Sequence, residues 1–133
     1  MDGEFRAYLR FYKKKVFAVT LNTEHLAHYK TLSPTRAIQS SQTTRVAQVE
    51  NAGTPKEHEK PVGDDDGYLW ALNSYWRLEE KDHGVYIQCE AISLTRDIPS
   101  GLGWLIKPFV TEVPKESLHN TLEDTRAWMM RKK

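Results

Sequence analysis

Five histidines are the residues of this 133-residue chain that could most readily bind a metal or move a proton. They are His25, His28, His58, His83 and His119. His25 and His28 are three residues apart, a spacing that places them on opposite faces of a strand, so they make a poor pair of metal ligands. His58 and His83 fall in polar segments that we expect to be solvated, and His119 is expected on a helix surface. The histidine pattern therefore predicts no metal site.

The other reactive side chains carry no recognisable catalytic signature. Cys89 lies on the apolar side of an alternating segment, and we expect a buried structural thiol because the sequence places no basic group beside it. The run Asp64, Asp65 and Asp66 lacks the spacing of a calcium loop and is interpreted as a solvated turn. Neither a phosphate-binding glycine loop nor a nucleophile elbow occurs. We predict no catalytic residue, no metal and no cofactor, which favours a non-enzymatic role.

The composition is that of a globular domain, with 39% hydrophobic and 28% charged residues and a formal net charge of +1. Such a balance argues against a dedicated nucleic-acid binder, which normally shows a basic excess. The single cysteine excludes a disulfide within the chain. No apolar run approaches the roughly 20 residues of a membrane span.

Charged residues begin at Asp2, so no signal peptide is visible. A cytoplasmic location is the default expectation, with export possible if a leading segment is missing. Lys13, Lys14 and Lys15 could touch acidic lipid headgroups, but three lysines give only weak attraction to a membrane.

Segments with a two-residue hydrophobic period dominate the first two thirds of the chain. This period predicts strands over residues 5–12, 16–29, 36–50, 68–80 and 85–95. Ser33-Pro34 predicts a turn, and residues 81–84 predict a hairpin connection because a glycine ends a short link between two alternating runs. Residues 51–67 have almost no apolar content and predict a polar flexible loop.

Beyond residue 100 the hydrophobic period becomes helical. Residues 102–110 predict a short helix that Pro108 limits. A second helix is predicted over 114–131, with Pro114 at its first position. Its apolar stripe has spacings of four, three and four, at Leu118, Leu122, Thr125 and Met129. The predicted fold class is α+β: a single domain, 1–133, in which a curved antiparallel sheet of about five strands grips this C-terminal helix.

The Trp-rich hairpin GYLWALNSYWRLEEKDHGVYIQCEAISLTRDIP and the segment GLGWLIKPFVTEVPKESLHNTLEDTRAW resemble the second half of a START-like domain. This superfamily is also called SRPBCC or Bet v 1-like, has the helix-grip fold, and includes bacterial members of unassigned function. The resemblance covers roughly residues 5–128. The family order begins with a strand, two short helices and a second strand, whereas this chain starts at the equivalent of the third strand. We therefore expect a truncated reading frame or a natural fragment.

The resemblance implies a function, because helix-grip relatives commonly bind lipids, sterols, quinones or polyketides between sheet and helix. We therefore expect a small hydrophobic molecule as the partner, in a cavity between the sheet and the C-terminal helix. The alternation of faces predicts the lining residues Leu9, Phe17, Val19, Leu21, Trp70, Leu72, Ser74, Trp76, Ile87, Cys89, Trp104, Leu118 and Leu122. Two alternatives stay open: an aromatase/cyclase-like enzyme using the same pocket, and a protein-interaction module that dimerises through an exposed sheet edge.

Overall fold

A computed structural model describes residues 2–14, 17–97, 101 and 103–131. The chain divides into two compact units, Met1–Arg96 and Asp97–Lys133. Among the described residues, the first unit contains all the strands, and the second contains the helical residues. The fold class is therefore α+β, as predicted.

The first unit is an antiparallel sheet with the strand order β1-β2-β3-β5-β6. The strands are β1 (Gly3–Lys14), β2 (Ala18–Ser33), β3 (Arg36–Glu50), β5 (Ala71–Lys81) and β6 (Gly84–Leu94). A sixth, two-residue strand, β4 (His58–Glu59), pairs with the end of β3 and lies inside the segment predicted as a loop. The sheet therefore has six strands where about five were expected.

The strand register assigns side chains to two faces, because residues directly opposite each other on antiparallel strands lie on the same face. Leu9 faces Thr23, Thr23 faces Val46, and Trp76 faces Cys89. We call this side the apolar face. It carries Phe5, Ala7, Leu9 and Phe11 of β1, Val19, Leu21, Thr23, His25 and Ala27 of β2, Thr43 and Val46 of β3, Leu72, Ser74, Trp76 and Leu78 of β5, and Val85, Ile87, Cys89 and Ala91 of β6.

The opposite side, which we call the charged face, carries most of the ionisable side chains of the sheet. Its members include Arg6, Tyr8 and Arg10 of β1, Asn22 and Glu24 of β2, Arg45 of β3, and Arg77 and Glu79 of β5. Buried side chains of the unit are concentrated in β2 and β3, which have a strand on each side. They are Val19, Thr20, Leu21, Thr23, His25, Ala27, Val46, Ala47 and Val49.

Both predicted turns of the sheet are present. Pro34 and Thr35 connect β2 to β3, and Asp82 and His83 connect β5 to β6. Asp82 and His83 have φ values of 54° and 60°. Positive φ at both central residues is the type I′ hairpin turn, whose twist matches that of the flanking strands. The register of β2 against β3 shifts between Glu24 and His25, which leaves one extra residue on β3.

The helical unit is made of α1 (Gly103–Lys107), a π-helical turn (Pro108–Glu112) and α2 (Val113–Arg131). Pro108 was expected to limit the first helix, but helical geometry continues through it. Because Pro108 is the first residue of the π-helical turn, its missing N–H does not interrupt that turn. The Pro108 carbonyl accepts a hydrogen bond from the Val113 N–H. Along α2 the four stripe residues predicted from spacing are half-buried, and the charged residues are exposed. Within the described part of the chain, no helix has the length and apolar character needed to cross a membrane.

Candidate functional site

Most residues predicted to line a ligand site share the apolar face of the sheet. Val19 and Leu21 are buried at its centre, and Leu9 on β1 is exposed. The half-buried members are on the neighbouring strands: Leu72, Ser74 and Trp76 of β5, and Ile87 and Cys89 of β6. The sequence alternation therefore predicted correctly which side of each strand these residues occupy.

Strands β5 and β6 pair apolar side chains on this face. Trp76 lies opposite Cys89, and Leu78 lies opposite Ile87. Burial raises the pKa of the Cys89 thiol, because a thiolate would lose its hydration there. A thiol held in its neutral form is a weak nucleophile, so Cys89 has the properties of a packing residue at this position.

Two predicted lining residues lie just outside the strands. Phe17 precedes β2 and its ring contacts Tyr68, with 5.7 Å between the centroids. Trp70 precedes β5, which begins at Ala71 and not at residue 68 as expected. Its indole N–H donates to Asp65 Oδ1 at 3.2 Å, and the side chain is 47% exposed. The expectation that Trp70 packs within a strand is therefore corrected, because a loop carboxylate binds its polar edge.

Three predicted lining residues belong to the helical unit. Trp104 in α1 is 73% exposed, and Leu118 and Leu122 in α2 are half-buried. Their contribution to a ligand site stays a prediction.

A polar network crosses the centre of the apolar face, and the sequence analysis missed it. His25 is only 4% exposed, and both of its ring nitrogens have hydrogen-bond partners. Its Nε2 lies 2.8 Å from Thr23 Oγ1, and its Nδ1 lies 3.4 Å from Thr43 Oγ1. The network therefore joins β2 to β3 at the position of the register shift.

The hydrogen-bond pattern of Thr43 favours one tautomer of His25. Thr43 Oγ1 donates its single proton to the Leu72 carbonyl at 2.5 Å and accepts from the Leu72 N–H at 2.8 Å. It can only accept a further bond, so the proton of the neutral His25 ring is on Nδ1. Nε2 is then the acceptor for the Thr23 hydroxyl, for which the Leu9 carbonyl at 3.4 Å is the more distant acceptor. Burial lowers the pKa of His25, since the charged imidazolium would lose hydration.

The sequence did contain a signal for this network. His25 has the same parity on β2 as Val19, Leu21 and Thr23, so it was due to face inward with them. The spacing of His25 and His28 bears only on metal binding and gives no information about a histidine paired with hydroxyls. Thr43 could not be assigned as its partner, because the pairing of β2 with β3 is a long-range property.

The segment predicted as a polar loop is hydrogen-bonded to the sheet. Gln48 Nε2 donates to Asp66 Oδ2 at 2.6 Å, and the Asp66 N–H donates to Gln48 Oε1 at 2.9 Å. Lys60 forms ion pairs with Glu50 and Asp66. The interpretation of the aspartate run as a simple solvated turn is therefore corrected for Asp66, which acts as a partner of β3. The predicted flexibility of the loop stays a prediction.

A cluster of charges joins the same loop to the charged face. Arg45 pairs with Glu59 and, at 3.9 Å, with Glu24, and Arg10 pairs with Glu57 at 2.9 Å. The Arg45 hydrogen bond holds the pKa of Glu59 below its ordinary value. A cleft of about 290 Å³ lies beside these groups. Since each guanidinium already has a carboxylate partner, the cluster serves to hold the loop against the sheet.

A larger cleft of about 460 Å³ opens near the β2–β3 turn, also mainly on the charged face. Its walls include Leu32, Arg36, Ile38, Arg77 and Tyr86. Arg36 forms an ion pair with Glu79 at its rim, at 2.8 Å. In the described parts of the chain, no group of three or more histidine, cysteine, aspartate or glutamate side chains is arranged to hold a metal ion.

No family model, curated protein or solved structure matches this chain.

Proposed function

We propose that the protein binds a small, largely apolar molecule against the apolar face of the sheet, without catalysis. The observation that carries the proposal is the register of β5 against β6. It places Trp76 beside Cys89 and Leu78 beside Ile87 on one face, each half-buried. Leu72 lies on the same face, further along β5. Adjacent aromatic and aliphatic side chains of this kind form the walls of small-molecule sites.

The polar groups among these side chains narrow the class of ligand. Ser74 lies opposite Ser41, and Trp76 lies opposite Gln39, so two hydroxyls and an amide accompany the apolar residues. A few such groups orient a ligand without binding it strongly by themselves. This mixture suits a molecule with an extended apolar body and one or a few oxygens, such as a quinone, a sterol, a lipid or a polyketide-like compound.

The helix-grip arrangement is part of this proposal. In that architecture a C-terminal helix with an apolar stripe closes the site, and α2 has such a stripe, which includes Leu118 and Leu122. We assign Trp104 to the same pocket as a further aromatic residue.

Tryptophan fluorescence can test ligand contact at a chosen place. A variant with Trp70→Phe, Trp104→Phe and Trp128→Phe retains Trp76 as its only tryptophan. Titration with decylubiquinone, which quenches indole fluorescence on contact, is expected to give saturable quenching. The matched control retains only Trp128, which is 58% exposed on α2. Equal, non-saturating quenching of the two reporters would mean random collision and would overturn the proposal.

A pair of substitutions on β6 tests which face is used. Ile87→Asn puts an amide on the apolar face, and Ile92→Asn makes the same change on the charged face. Loss of an aliphatic side chain from the site is expected to weaken decylubiquinone binding about tenfold for Ile87→Asn only. Equal affinity in the two variants would contradict a site on the apolar face.

A further inference from the structure

The outer strand β6 has the composition of an edge that pairs with another chain. In the described part of the protein it is bonded on one side only, to β5. Its sequence, GVYIQCEAISL, has no proline and a single charged residue, Glu90. Val85, Tyr86, Ile92 and Leu94 are exposed. Long edge strands without charge or proline are templates for further strand pairing.

The other outer strand, β1, carries several charged side chains, and charge on an edge strand opposes such pairing. It carries Glu4, Arg6, Arg10, Lys13 and Lys14, so its net charge is positive. Two β1 edges brought together would each carry an excess of positive charge, whereas each β6 edge carries a single carboxylate. The difference selects β6 as the pairing edge.

The backbone groups available on β6 can be identified from its bonds to β5. The Trp70 N–H donates to the Leu94 carbonyl, so the backbone of Leu94 is directed toward β5. Because direction alternates along a strand, the even-numbered residues bond to β5 and the odd-numbered residues present their N–H and C=O groups outward. The outward set is Val85, Ile87, Cys89, Ala91 and Ser93.

We propose that a second copy of this chain pairs with it antiparallel along β6, with the two-fold axis at Cys89. Cys89 then faces the partner's Cys89, and Ile87 faces the partner's Ala91. All the outward backbone groups of both strands are used, in about ten hydrogen bonds. On the charged face, Tyr86 lies opposite the partner's Ile92, an aromatic pair with a β-branched residue of the kind that stabilises sheets.

Charge and the length of the overlap together select this register over its neighbours. With the axis at Cys89, Gln88 lies opposite the partner's Glu90, and its amide can donate to that carboxylate. An axis at Glu90 would place two carboxylates opposite each other. An axis at Gln88 would limit the overlap of the two strands to residues 84–92. The outward N–H and C=O groups of Ser93 would then have no partner.

Two opposite charge changes at Gln88 test the proposal, with the dimer dissociation constant measured by analytical ultracentrifugation. Gln88→Glu puts a carboxylate opposite the partner's Glu90 at two symmetric places, and we expect it to weaken the dimer about five- to tenfold. Gln88→Lys creates two attractive pairs, and we expect it to tighten the dimer by a similar factor.

Changes in the stability of the folded monomer would give the opposite order of the two Gln88 variants. Arg77 lies opposite Gln88 within the chain and donates to its side-chain oxygen at 3.4 Å. A glutamate at position 88 therefore favours the monomer fold, and a lysine disfavours it, which is the reverse of the order expected for the dimer. Tyr8→Glu and Tyr8→Lys on β1 are the matched controls and should leave the dissociation constant unchanged.

The proposal is supported only by a dimer whose affinity follows the order Gln88→Lys, wild type, Gln88→Glu. A protein that stays monomeric at all soluble concentrations would overturn it. So would a dimer that responds to the changes at Tyr8, or one in which both Gln88 variants act in the same direction.

Discussion

Thr23 and His25 are joined on β2 by a 2.8 Å contact between the hydroxyl Oγ1 and the ring Nε2, and both side chains are buried. They are two residues apart and therefore point to the same face of the strand. The other ring nitrogen of His25, Nδ1, contacts the Thr43 hydroxyl. The same hydroxyl also forms hydrogen bonds with the N–H and C=O of Leu72, which lies on β5. The buried imidazole thus joins β2 to β3, and the Thr43 hydroxyl extends the network to β5.

The stability of the protein is expected to fall when the medium becomes mildly acidic. Burial lowers the pKa of His25 in the folded chain below the ordinary value of 6.5 that it has when unfolded. Between these two values the unfolded chain binds more protons, so the free energy of unfolding decreases as the pH falls below about 6.5. Urea unfolding at about pH 7.5 and about pH 5.5 measures this decrease.

His25→Gln should reduce that pH dependence, because the group that binds the proton is removed. His28→Gln is the matched control, since His28 is exposed on the opposite face. If the two variants lose the same stability between the two pH values, His25 is not the group responsible.

Thr43→Val is expected to destabilise the sheet by about 1–3 kcal/mol. Valine keeps the shape of threonine but leaves the N–H and C=O of Leu72 without their hydroxyl partner in a half-buried place. Thr44→Val removes the neighbouring exposed hydroxyl, which donates to the Glu24 carbonyl. Its cost should be within about 0.5 kcal/mol. Chemical denaturation of both variants gives the comparison, and equal costs would contradict a special role for Thr43.

His83→Gly is expected to stabilise the β5–β6 hairpin by about 1 kcal/mol, because a non-glycine residue at a φ of 60° is strained by its Cβ. The corresponding position of the β2–β3 turn, Thr35, does not have a positive φ. Thr35→Gly should therefore destabilise the protein by about 0.5–1 kcal/mol. Thermal unfolding separates the two, and a loss of stability in both variants would show that His83 is unstrained.

Much of the fold could be predicted from local patterns. The third strand was predicted with the bounds it has, Arg36–Glu50, and the turns at Pro34 and at Asp82 were each placed correctly. The same alternation placed Trp76 and Cys89 on one face of the sheet. These features follow from periodicity and turn chemistry, which depend on residues close together in the chain.

The tertiary structure determined the contacts between residues far apart in sequence, which local patterns do not contain. The partner of His25 depends on the register shift between β2 and β3, and the strand β4 exists only because His58 and Glu59 meet the end of β3. Trp70 lies just before β5, and its indole donates to Asp65, five residues earlier. The side of a strand on which a residue lies is set by alternation along the backbone. Which residue it meets across the sheet is set by the pairing of segments far apart in sequence, where one residue of slippage changes every partner.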